Sequence, residues 1–156
     1  MKHPLFTIAI LLLPLTHLPA GQLAVGDILP AITANDQHGT PFVLTTNIQV
    51  LLVATEMDCA KAANRKLADQ RAGFLEKYHA AYLMDIHTMP AIGRFFAIPK
   101  MQKYPQRIVL IDSPTVLADF PTKASCVTVI SLNATNQIQK ISYWNPASEP
   151  VAQCFP

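Results

Sequence analysis

Gln49-Val50-Leu51-Leu52-Val53-Ala54-Thr55-Glu56-Met57-Asp58-Cys59 is the stretch on which the reading of this chain turns. Its opening apolar run is the pattern of a short strand covered on both faces. Glu56-Met57-Asp58 breaks that run, and helical spacing takes over after Cys59. Asp58 stands where a side chain would cap the new helix. Cys59 falls at the helix start, where free N–H groups and the dipole favour a thiolate. Glu56 and Asp58 oppose this, because nearby negative charge disfavours a second anion.

Working outward, Ala63, Leu67, Gln70, Phe74 and Tyr78 recur at i, i+4, i+7, i+11 and i+15. The spacing predicts one long helix with a face docked on a sheet, and Arg65, Lys66, Asp69 and Arg71 fall mostly elsewhere. Upstream, Ala31 to Asn35 and Pro41 to Leu44 flank Asp36-Gln37-His38-Gly39, whose composition marks a hairpin turn. Downstream, Ala80 to Ile86 is a second buried-strand candidate. Thr88 and Pro90 start another helix, carrying Ile92, Phe95 and Phe96 on one side and breaking near Pro99. Lys100 to Tyr104 adds one helical turn. Arg107 to Asp112 is a third strand, and Ser113-Pro114 begins a turn or short helix reaching Phe120. Cys126 to Leu132 and Ile138 to Trp144 form a closing hairpin, with room after Ser148 for two helical turns. The whole is an α/β chain: a mixed β-sheet flanked by helices, with an N-terminal hairpin and a C-terminal antiparallel hairpin. Sites in such sheets lie beyond the carboxyl ends of the parallel strands. That rule brings Glu56 to Cys59 beside the loop from Asp85 to Pro90.

The first twenty residues read as an address. Lys2 and His3 precede an apolar stretch from Leu5 to Leu15, and Thr16 to Ala20 supply a polar, proline-containing exit. The stretch is shorter than the roughly twenty apolar residues of a membrane span and contains Pro14. Residues 1–20 are expected to be a signal peptide, and residues 21–156 a single periplasmic domain with no stable membrane span after cleavage. The net charge of +2 is not gathered into any long basic or acidic block, so nothing points to nucleic acid. Cys59, Cys126 and Cys154 are an odd count in an oxidising compartment. Either one pair is bridged and one thiol is free, or all three stay reduced. Cys154 has no assignable partner.

Together these motifs resemble the thioredoxin-like superfamily, nearest its exported peroxiredoxin-like branch. The residues that carry the likeness are Val25-Gly26-Asp27 with Leu29-Pro30, Asp36-Gln37-His38-Gly39, the junction at Cys59, Tyr104-Pro105 before the strand ending in Asp112, and the final hairpin. The resemblance covers roughly residues 23 to 145 and implies a thioredoxin-like fold. The departures bear on activity. The superfamily's Cys-x-x-Cys is absent, since Ala62 stands three residues after Cys59. A peroxiredoxin has Thr or Ser three residues before its reactive cysteine, and this chain has Glu56. The peroxide-binding arginine of that branch is missing from Ala124-Ser125-Cys126-Val127, and no proline occupies positions 123 to 129 where thioredoxins carry a cis-proline. No glycine-rich phosphate loop is present, and no cofactor is expected.

The expectation is therefore an exported binding or interaction module without the standard dithiol centre, meeting an unknown protein or small molecule through Glu56, Asp58, Asp85 and His87, with Cys59 at the contact surface. An alternative is thiol-dependent redox or peroxide chemistry at Cys59. In the resembled fold Cys126 begins a strand that passes near the active-site loop, and it would serve as the resolving thiol. A second alternative is soft-metal handling. Met57, Cys59, Met84, His87 and Met89 are thioether, thiol and imidazole donors of the kind that select copper(I).

Overall fold

Strand β3, Val50–Ala54, is buried at every position, as its uninterrupted apolar run requires. A computed structural model describes residues 21–156; the expected signal segment, residues 1–20, lies outside the described residues. Around β3 are β1 (Thr33–Asp36), β2 (Pro41–Val43), β4 (Ala80–Asp85), β5 (Ile108–Ile111), β6 (Val127–Leu132) and β7 (Ile138–Trp144). They form one seven-stranded sheet in the order β2-β1-β5-β4-β3-β6-β7. β3, β4 and β5 run parallel. β1 and β6 pair antiparallel to its two flanks, and each continues into an antiparallel hairpin partner.

Successive strand residues point to opposite faces, so the central strands feed two cores. Leu52, Ala54, Tyr82 and Met84 pack on one side with Ala63, Leu67 and Trp144. Leu51, Val53, Leu83, Val109 and Ile130 pack on the other with Ile32 and Phe120. The predicted hairpin turn also locks the sheet edge. The buried Asp36 carboxylate accepts from the His38 and Thr40 N–H groups and from Arg107, each at 2.9 Å. The next residue, Gln37, accepts from the Ile108 N–H at 2.7 Å and donates to the Gln106 carbonyl at 2.8 Å.

The helices depart from expectation in two places. The long helix after Cys59 is two helices, α1 (Met57–Ala68) and α2 (Phe74–Lys77), separated by residues 69–73, with Gly73 at the cap position of α2 in a left-handed conformation, φ +78°. The helix begun at Pro90, α3 (Ala91–Met101), does not break at Pro99 but continues through it. The ring costs a single internal hydrogen bond on an exposed turn, and the ladder resumes where the Gln102 N–H donates to the Ile98 carbonyl at 3.0 Å. Residues 114–119 are turns, and the last element is one tight turn at Val151–Cys154. Cys154 is buried in the core, where the neighbouring Phe155 ring stacks on Tyr78 with centroids 4.6 Å apart.

Candidate functional site

Parallel strands deliver the ends of β3, β4 and β5 to one edge of the molecule. β6 is antiparallel to β3, with Val53 opposite Thr128, so the start of β6 and Cys126 return to the same edge. Glu56, Cys59, Asp85, His87, Asp112 and Cys126 are thus collected at a single end of the sheet.

Glu56, not Asp58, occupies the cap position of α1, with an extended backbone and no capping bond from its side chain. Its carboxylate instead accepts the Ser125 N–H at 3.1 Å. That contact pins the turn before β6, where Ser125 has a left-handed φ of +59°. Asp58 lies in the first turn of α1, almost wholly exposed, and pairs with Lys61 at 3.2 Å. An exposed pair one turn apart adds little stability.

Cys59 is not at a contact surface. It is 5% exposed and packs in the core with Ala60, Ala63 and Tyr82. Burial pushes its thiol up to about 12, with the Glu56 carboxylate and Cys126 adding to the rise. Desolvation therefore outweighs the helix start, which the local sequence favours. Cys126 is also buried, and all three cysteines are free thiols, with no bridge between Cys59 and Cys126.

The second half of the edge is polar. The His87 ring Nδ1 lies 2.7 Å from the Asp85 carboxylate, whose same oxygen accepts the His87 backbone N–H at 3.0 Å. Arg94, which sequence reasoning passed over, organises this loop. From α3 it donates to the backbone carbonyls of Ile86 and Met89 at 2.9 Å and of His87 at 3.3 Å. The same guanidinium grips both oxygens of Asp112, holding that carboxyl below its usual range, and His87 adds to the lowering. A fork-shaped donor suits this combination of carbonyls and carboxylate. The signal in the sequence was only an arginine amid Ile92, Phe95 and Phe96.

Those three apolar residues face outward. Ile92, Phe95 and Phe96 are 66%, 72% and 68% exposed, and the two rings meet edge to face at 5.2 Å. The proposed soft-metal set is divided: Met57, Met84 and Met89 line one cleft, and neither Cys59 nor His87 lines it. Among the described residues no three of His, Cys, Asp and Glu gather as a metal would require. No helix of the described residues is long and apolar enough to cross a membrane.

No family model and no curated protein sequence matches the chain. Solved structures do. A peroxiredoxin-like protein from Aquifex aeolicus superposes with a TM-score of 0.57 at 12% identity, covering 85% of this chain and 83% of its own. The thioredoxin domain of a thiol-disulfide oxidoreductase from Bacteroides vulgatus gives 0.55 at 16% identity, over 80% and 93%. Peroxidoxin BcpB from Mycobacterium tuberculosis gives 0.51 at 16%, over 76% and 84%. At such identities the likeness is one of fold.

Proposed function

We propose that this chain, thioredoxin-like in fold, is a non-catalytic binding module exported to the periplasm. One observation carries the reading: the only sulfur at the position where this fold does thiol chemistry is sealed in the core beside a carboxylate. A thiol in that setting stays protonated near neutrality and is a poor nucleophile. Ala62, itself buried, leaves it no partner three residues on. The working surface is then the rim around it: Glu56 and Asp58, the Asp85–His87 pair, and the exposed apolar residues of α3. Contiguous exposed apolar side chains beside fixed polar groups are the usual composition of an interaction face.

The test is the pH dependence of iodoacetamide alkylation at Cys59, read by peptide mass, alongside peroxide consumption and reduction of insulin disulfides. The expected result is a rate still rising beyond about pH 9.5 and no turnover. An inflection at or below about 8.5, or turnover that Cys59→Ser abolishes, overturns the reading in favour of thiol catalysis. Export rests on residues 1–20 of the sequence; a mature chain beginning near Gly21 in periplasmic extracts supports it, and an intact Met1 in the cytoplasm removes it.

A further inference from the structure

The chain has five methionines; Met1 lies outside the described residues, and the other four, Met57, Met84, Met89 and Met101, line a single cleft of about 170 Å³ between α1, α3 and the end of β4. Three of the four are buried and Met57 is half-buried. Methionine ordinarily fills irregular gaps in a core. Here four of them surround space instead of closing it.

Asn64 lines the same cleft and gives it a polar floor. The residue is 6% exposed, and its side-chain oxygen has no hydrogen-bond partner. The amide nitrogen reaches only the Met84 sulfur, at 3.9 Å. Turning the amide over exchanges the two ends and still leaves a polar atom facing a thioether. A buried amide oxygen without a partner is costly to keep, and a ligand that supplies a donor would satisfy it.

Charge marks the other end. Lys61, Arg65 and Lys100 line the cleft and no carboxylate does; Asp58 reaches Lys61 only from the exposed surface. Residues 57, 61, 64 and 65 follow helical spacing, so one stripe of α1 presents a thioether, two cations and the amide to the cleft. Such a rim opposes uptake of a metal cation by the sulfurs and favours an anion.

We propose that this cleft binds a small hydroxylated aromatic acid: a single ring among the methionine sulfurs, a carboxylate at Lys61, Arg65 and Lys100, and a hydroxyl donating to Asn64. Thioethers make favourable contacts with aromatic rings. The volume falls below the roughly 300–1,000 Å³ of pockets for drug-sized ligands and suits one ring. The assignment rests on the binding reading above and names a ligand class for the part of the face that Met57 and Met89 border.

The experiment uses the mature chain with ¹³C-methyl-labelled methionine, titrated with 4-hydroxyphenylacetate, phenylacetate, tyramine and, under anaerobic conditions, copper(I). 4-Hydroxyphenylacetate is expected to shift the four methyl signals saturably. Phenylacetate, lacking the donor, is expected to bind about tenfold more weakly, one hydrogen bond's worth, and tyramine, with a cation for the carboxylate, not to bind. Asn64→Leu should erase the preference between the two acids. If that variant does not fold, Arg65→Gln/Lys100→Gln, on the exposed rim, should weaken both acids about tenfold. Methyl shifts with copper(I) and none with either acid would make this a metal site and overturn the proposal, as would no shift with any probe. Cys59 alkylation is measured on the same sample, so failure of the ligand is distinguished from failure of the non-catalytic reading.

Discussion

Cys59 shows how a tertiary sum overrides a local rule. Five residues past the end of β3, at the first turn of a helix, a thiol should be acidified. Yet Ala60, Ala63 and Tyr82 surround it, and removing water from a would-be anion raises its pKa more than the helix start lowers it. Cys154 is held up to about 12 in the same way, by burial first and Glu149 second. The consequence for stability follows from proton counting. Both thiols ordinarily titrate at 9.0 and in the folded chain at about 12. Below that window folded and unfolded chains hold the same protons. Within it the folded chain keeps protons that the unfolded chain releases, so stability falls as pH rises. Cys59→Ala is expected to lower Tm at about pH 8, because a packed side chain is lost, and to make the further fall towards about pH 10.5 shallower than in the wild type. Thermal melts at the two pH values read this directly; parallel slopes would mean that the thiol is not held protonated.

At the scale of elements, what was legible depended on whether the deciding contact was near in the chain. β3, the Asp36–Gly39 turn and the closing hairpin were readable because apolar runs and turn residues are local signals. The break between α1 and α2 was not, because Phe74 and Tyr78 stay in phase with Leu67 and so disguise the interruption over residues 69–73. Pro99 misled in the opposite direction: a proline on an exposed turn removes one hydrogen bond without ending α3. Arg94 was invisible as an organiser, since its partners are backbone carbonyls and a carboxylate eighteen residues away. The exit from α2 offers a test of the local backbone. His79 closes that helix with φ of +49° while its carbonyl accepts the Gln49 N–H at 2.7 Å, joining the helix to the start of β3. The left-handed conformation costs an L-residue energy that glycine is spared. Set against the greater freedom glycine gains when unfolded, His79→Gly is expected to stabilise the fold by about 0.5–1 kcal/mol, seen as a Tm rise of about 2–4 °C. A fall in Tm would show that the exposed imidazole contributes more than its backbone strain removes.

For the whole molecule, the candidate edge is the product of topology, and sequence alone brought its members together only because parallel strands must end on one side. What sequence could not rank is which members face solvent. Periodicity placed Ile92, Phe95 and Phe96 on one side of a helix, and in a sheet protein such a stripe is normally the docked one. In α3 the docking is done instead by Met101, with Ala97 and Ile98 packed against the same core, and the aromatic pair is left outside. Arg94 accounts for this. Its guanidinium is committed to the Ile86, His87 and Met89 carbonyls and to Asp112, which fixes the rotation of the helix over the sheet edge and turns the phenylalanines away. Side chains that bury little area contribute little to folding, so the aromatic pair is free to be removed. Phe95→Ser/Phe96→Ser is expected to leave Tm within about 3 °C of the wild type, measured by thermal melts. A loss of more than about 5 °C would instead show that these rings complete a core, and the face around His87 would lose its apolar half.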